Sequence, residues 1–169
     1  MGCGKTTLGR AVAEHTGVRF IDLDDYIEER QGCSVKEIFA CRGEDAFRAI
    51  GREALIEVSC SSDTFVACGG GTPCFGDNMD VMNSRGITVY LTAPHHRLLA
   101  RLKEGREKRP LIASLSDDEL DAFIARQMEW RHPHYSRAKL TFDSSRLENT
   151  EQVSESVDRF LKLISSYES

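Results

Sequence analysis

Apolar positions along the chain switch between a helical spacing and a strand spacing. Over residues 5–16, Leu8, Val12 and Ala13 recur at helical intervals, and Gly17 then ends the pattern as a glycine just past a helix does. Residues 18–22 predict a short strand. Two or three short helices are expected between 24 and 60. A second apolar strand over 64–68 runs straight into Gly69, Gly70 and Gly71. A short helix near 77–84 leads to the clearest strand, 87–91, and Pro94 opens a helix reaching about residue 102. Ser116 followed by three acidic residues reads as a helix cap. That helix points Leu120, Phe123, Ile124 and Met128 inward and ends near 131. A last strand over 139–142 and an amphipathic helix over 151–165 close the chain. Strands alternating with helices predict an α/β fold, a parallel sheet with helices on both faces. With no repeat, low-complexity tract or linker, residues 1–169 read as one domain.

Composition narrows the class. Of 169 residues, 40% are hydrophobic and 29% charged, ordinary for a globular protein that buries a core. A net charge of −5 argues against general affinity for nucleic acid or an anionic membrane, so neither is expected as a partner. No apolar run approaches the ~20 residues of a membrane span, and the polar, glycine-rich start does not read as a signal peptide. The six cysteines, at 3, 33, 41, 60, 68 and 74, form no paired metal spacing. They read as reduced thiols acting as small hydrophobes, which suits a cytoplasmic location. A monomer is expected. The start also fits the short, permissive N-myristoylation pattern, with Cys3 as a second acyl site, but a phosphate-loop reading explains the same residues together with features far downstream.

That loop reading rests on Gly2, Gly4, Lys5, Thr6 and Thr7. Gly4-Lys5-Thr6 is the second half of the G-x-x-x-x-G-K-[ST] pattern. Its glycines let backbone N–H groups converge on phosphate oxygens, its lysine brings charge, and its hydroxyl suits Mg²⁺. Alone, Gly-Lys-Thr could equally be a helix start after a turn. Asp22 and Asp24 end the 18–22 strand, and residues two apart on a strand share a face. They would project together into the crevice at the strand ends, where open α/β sheets bind ligands. The plainer alternative is a helix start with Asp24 or Asp25 as N-cap. Gly69 to Gly71 let backbone approach a ligand closely, or form a flexible turn. Arg48, Arg109 and Arg131 carry the bidentate group best suited to a carboxylate or a transferring phosphate, though each alone reads as a solvated surface residue.

Taken in order, Gly-Cys-Gly-Lys-Thr-Thr-Leu-Gly, Phe-Ile-Asp-Leu-Asp, Arg-Gly-Glu-Asp-Ala-Phe-Arg, Cys-Gly-Gly-Gly, Lys-Arg-Pro-Leu and Arg-His-Pro-His-Tyr resemble the shikimate kinase family, from Gly2 to Tyr135. The resemblance implies a three-layer αβα P-loop kinase fold. It also implies transfer of the ATP γ-phosphoryl group to a shikimate hydroxyl, with Mg²⁺, on the route to aromatic amino acids. It implies that Lys5 and Thr6 hold ATP phosphates and Mg²⁺, and that Asp22 orients the metal's water shell. Asp24 would bind the shikimate hydroxyls. Arg48, Gly70, Gly71 and Arg131 would hold shikimate, with the arginines on its carboxylate. Arg109, from a lid over about 103–116, would touch the transferring phosphate, and Arg101 would lie near adenine. A gluconate-type P-loop kinase, or a paralogue that binds ligand without turnover, are the alternatives.

The sequence departs from this family at its start. The family's loop begins Gly-x-x-Gly after a buried strand, central in the sheet order 2-3-1-4-5. Here that strand and first glycine are missing ahead of Gly2, so the strands at 64–68 and 87–91 are expected to face each other across a slot. A chain starting at Met1 is expected to be poorly stable and to bind nucleotide weakly, with a start assigned too late or a truncated paralogue as explanations.

Overall fold

The computed structural model describes residues 2–104, 106 and 112–169. Helix α1 (Lys5–Thr16) leads to strand β1 (Arg19–Asp22), then α2 (Leu23–Gln31), α3 (Val35–Val58) and β2 (Thr64–Ala67). A 3₁₀ turn (Thr72–Cys74) precedes α4 (Asn78–Arg85), β3 (Val89–Thr92), α5 (His95–Lys103), α6 (Asp117–Tyr135), β4 (Leu140–Asp143) and α7 (Thr150–Glu168). The caps follow the sequence. Gly17 is left-handed past α1, and Ser34 with Glu37, and Ser116 with Glu119, form reciprocal capping boxes. Within α3, Gly43 leaves the helical region at φ 80°, which divides it into two pieces.

β1 pairs with β2 in parallel, Phe20 opposite Phe65 and Ile21 opposite Val66. The strand period of two then sorts the layers. Ile21 and Val66 pack with Leu23, Ile27, Ile38, Phe47 and Leu55 of α2 and α3. Phe65 turns the other way, onto the core of Leu8 and Val12 from α1 and Val157 and Phe160 from α7. A Cβ at Gly9 would lie 2.7 Å from the Phe65 ring, so a glycine lets α1 lie close on the strands. Leu98, Leu102, Leu120 and Ile124 join α5 to α6 in a third core. Helices thus cover both faces, as the alternation of elements requires.

β3 pairs with β4, also in parallel, Val89 opposite Leu140. The two ladders are not joined. Between them lies an open cavity of about 1300 Å³ whose walls include Thr64 to Cys68 in unbroken succession and Ile87 to Thr92 likewise. A strand face would contribute alternate residues; consecutive residues mean that two strand edges confront each other. This is the slot expected from the sequence.

Three expectations shift. The third strand starts at Val89 rather than 87, because Thr88 spends its hydroxyl on Asn83 (2.6 Å) and on the Lys139 N–H (2.9 Å) before the ladder begins. α6 continues past 131 to Tyr135, through Pro133. Proline removes only the N–H that would reach Glu129, and that residue is exposed, so water can satisfy its carbonyl. The cysteines are all free, but Cys41 and Cys60 are exposed rather than serving as small core residues.

Candidate functional site

The first half of the candidate site starts at Gly4, whose left-handed conformation (φ 81°) turns the chain directly into α1. No side chain caps α1, so its first-turn N–H groups face outward as an anion-binding end. Lys5 Nζ lies 3.2 Å from Asp22 Oδ2, and the Thr6 hydroxyl donates to the same oxygen at 2.9 Å. Asp22 is the last residue of β1, and its carboxylate is nearly buried. Thr7 is exposed in the first turn. The Gly2 carbonyl accepts from Arg101 Nη1 at 3.3 Å. Arg101 also donates to the carbonyls of Ser144 and Ser145 and to Glu148, at 3.0–3.1 Å and 2.8 Å. Its edge is therefore tied to the loop after β4, leaving the guanidinium plane as its contact surface.

Asp24 is not on the strand beside Asp22. Asp22 itself caps α2, its Oδ1 accepting the Asp24 N–H at 3.2 Å, and Asp24 falls in the first helical turn. The shared-face argument from strand periodicity is thus corrected, as is the alternative that made Asp24 or Asp25 the cap. The two carboxylates still converge, because a cap and the residue two beyond it sit together at a helix start. Burial pushes the Asp24 carboxyl above its ordinary range, opposed by the Lys5 charge and reinforced by Asp22.

The glycine run forms the floor of the other half, and each glycine faces a different functional side chain. A Cβ on Gly69 would lie 3.1 Å from Asp24 Oδ1. One on Gly70 would lie 2.6 Å from Arg131 Nη1 and 2.9 Å from the Tyr135 hydroxyl, and one on Gly71 would lie 3.0 Å from Arg48 Nη1. The Tyr135 hydroxyl donates to the Gly70 carbonyl at 2.6 Å, and burial holds its phenol up at about 12. Arg48 donates from Nε and Nη2 to Glu44 Oε1 at 3.2 and 2.8 Å. Arg131 Nε is buried with no hydrogen-bond partner among the described residues. A buried cationic donor without an acceptor is rare enough to point to a ligand.

The structure therefore gathers Lys5, Thr6 and Asp22 in one cluster, and Asp24, Arg48, Gly70, Gly71 and Arg131 in a second. Arg101 lies behind the loop. Arg109, and with it the middle of the expected lid, lies outside the described residues. Sequence reasoning missed Glu44, Tyr135 and Phe75. The first two stand four residues from Arg48 and Arg131 on their helices, a spacing that places side chains together; Phe75 carried no such signal. No group of three or more His, Cys, Asp or Glu residues that could hold a metal exists among the described residues. Thr6 and Asp22 nonetheless offer hard oxygens side by side, which fits Mg²⁺, since that ion is usually held by one or two carboxylates with waters and substrate phosphates.

A family model described as shikimate kinase matches residues 1–164. The shikimate kinase of Phocaeicola vulgatus is 48% identical over 162 residues, covering 96% of this chain and 93% of that one. That of Parabacteroides distasonis is 44% identical, covering 97% and 95%. Among solved structures, the crystal structure of shikimate kinase from Bacteroides thetaiotaomicron superposes with a TM-score of 0.94 at 44% identity, over 98% of this chain and 94% of that one. Shikimate kinase from Acinetobacter baumannii in complex with shikimate superposes with a TM-score of 0.85 at 31% identity, over 99% and 89%.

Proposed function

The chain belongs to the shikimate kinase family, ATP-dependent enzymes that phosphorylate a shikimate hydroxyl, and from that premise we propose how its own residues divide the work. What supports the division most directly is the glycine floor. Asp24, Arg131 and Arg48 each stand over one glycine, and Arg131 carries a buried donor without a partner among the described residues. That row offers a carboxylate for hydroxyl groups at one end and two guanidinium groups for a carboxylate at the other. Shikimate, a polyhydroxylated ring acid, matches both ends. Relatives of this kind do not favour a gluconate-type kinase or a binder without turnover.

In this reading the N-terminal turn of α1 and Lys5 receive the β- and γ-phosphates of ATP. Thr6 and Asp22 would hold Mg²⁺, which when bound neutralises phosphate charge. Asp22 also keeps Lys5 directed into the loop while the site is open. Asp24 aligns the attacking hydroxyl and accepts its proton, while Arg48 and Arg131 fix the far end of the ring through its carboxylate. Arg109 is assigned to the transferring phosphoryl group on the family resemblance, and the plane of Arg101 to adenine. Phosphoryl transfer needs little covalent help from the protein, so positioning and charge carry the catalysis. We place this activity in the cytoplasm, where six free thiols persist. We assign it to a single-domain monomer, since the exposed large apolar residues among the described residues, Ile56, Trp130 and Tyr167, are few.

The test is shikimate-dependent ADP release from ATP. Turnover with shikimate and none with gluconate supports the reading. Tight shikimate binding without ADP release would reduce it to a ligand-binding role.

A further inference from the structure

We propose that Phe75 is a positioning residue for the acid end of the site, a platform that fixes the plane of the Arg48 guanidinium. The proposal rests on the reading of Arg48 as a carboxylate-binding residue. Arg48 Cζ stands 3.8 Å from the Phe75 ring centroid, against 5.4 Å for Phe47 and 6.0 Å for Phe39. Only the first is a close stack, well inside the ~6 Å range of cation–π attraction. Stacking fixes the plane of a guanidinium but leaves it free to spin within that plane. Glu44 removes this freedom by accepting from Nε and Nη2. The group left over is Nη1, the nitrogen that faces the Gly71 floor.

The backbone reinforces the arrangement. Gly71 and Phe75 bracket the 3₁₀ turn Thr72–Cys74, closed by the Cys74 N–H on the Gly71 carbonyl at 3.0 Å and stiffened by Pro73. Floor and platform thus belong to one rigid turn, and the Arg48 head is fixed between them. Phe75 belongs to none of the three apolar cores formed by the described residues, so core packing does not account for it. Its other aromatic neighbour is Trp130, edge-on at 6.1 Å, which in turn lies 6.2 Å from the His134 ring.

Trp130 is the sole tryptophan of the chain, so its emission reports on this corner directly. Shikimate is titrated into wild type, Phe75→Leu, Phe75→Ala and Phe75→Tyr while Trp130 fluorescence is followed, and initial rates are measured in parallel. Phe75→Leu keeps apolar bulk but has no π face. It should weaken shikimate binding, and raise its KM, by about five- to thirtyfold, the range spanned by a desolvated cation–π contact. The KM for ATP and kcat should stay within about twofold of wild type, as for loss of binding shared equally by the ground and transition states. Phe75→Tyr, with its ring retained, should restore affinity. If Phe75→Ala fails to fold, the leucine and tyrosine pair decides. Shikimate affinity unchanged in Phe75→Leu, or a parallel fall in kcat and ATP affinity, overturns the platform role. Arg48→Ala is the control for the underlying reading: if it leaves shikimate affinity unchanged, the assignment of Arg48 has failed, whatever Phe75 does.

Discussion

Gly70→Ala tests the placement of Arg131, with Tyr135 the other side chain that the change touches. Gly70 is not among the glycines with positive φ, so alanine meets no backbone strain there. The added methyl would stand 2.6 Å from Arg131 Nη1 and 2.9 Å from the Tyr135 hydroxyl, and both contacts must relax. Tyr135 is half-buried, packs 5.0 Å from the Tyr90 ring and donates to the carbonyl of Gly70 itself. The Arg131 head is the end of a flexible side chain, so it moves first. On the stability side, at worst the Tyr135 hydrogen bond is lost, about 0.5–1.5 kcal/mol. For a chain of this size that lowers Tm by about 1–6 °C. On the binding side, a hydrogen bond to a charged group contributes about 1.5–3 kcal/mol, so a displaced guanidinium should raise the shikimate KM about ten- to hundredfold. ATP affinity and kcat should barely move. Calorimetry gives the first quantity, and ADP release against varied shikimate gives the second. A shikimate KM within about twofold of wild type, in a protein that folds, would refute the role of Arg131 on the glycine floor.

Lys5→Ala should lower kcat by about a hundredfold or more, since charge at the transferring group is the main catalytic contribution; turnover within about tenfold of wild type, read as ADP release, would remove the phosphate-loop assignment. Thiol titration at pH 8 with an aromatic disulfide should modify Cys41 and Cys60 first. Cys68 should react last although it lines the open cavity, because burial pushes its thiol up to about 12 and the thiolate is the reactive form; labelling of Cys68 as fast as Cys41 would contradict this. Fusing about ten residues of apolar strand, ending in glycine, ahead of Met1 should bridge the two ladders. It should raise Tm by more than ~10 °C, since each apolar side chain buried in the slot adds roughly 1.5–3 kcal/mol; a scanning-calorimetry Tm that does not change would mean the slot is closed in solution.

The fold was legible where periodicity and caps agree. Leu8 and Val12 are buried and Gly17 ends α1; Ser116 and Glu119 cap α6 reciprocally. Boundaries moved where a side chain competes with the backbone, as Thr88 does before β3 and Pro133 fails to do in α6. In the candidate site, the residues that would gather were readable but their mechanical linkage was not. A strand-periodicity argument placed Asp22 and Asp24 together for the wrong reason. Propensity alone cannot say whether a D-L-D run ends a strand or starts a helix, and here it does both. The seating of three side chains on three successive glycines was also invisible, because it depends on α2, α3 and α6 all reaching one turn. Phe75 illustrates the limit: its role depends on an arginine 27 residues earlier in the chain, and no local spacing links the two.

Asp22 explains how the two halves of the site are kept in register. One carboxylate oxygen, Oδ2, accepts from both Lys5 and Thr6, the phosphate side. The other, Oδ1, accepts the Asp24 N–H and thereby starts α2, whose first turn presents Asp24 to Gly69. In the proposed division of roles, donor and acceptor groups are thus referred to a single side chain at the end of β1, a strand held by four consecutive pairings to β2. β2 in turn runs through Cys68 into the glycine floor. A phosphoryl donor and a hydroxyl acceptor must meet in line within a few tenths of an ångström, so errors in the two half-sites would otherwise add. Deriving both from adjacent strand ends makes those errors common to donor and acceptor, and a common displacement leaves their separation unchanged. The edge of β2 that sets this register is the one packed against β1, not the one facing the slot.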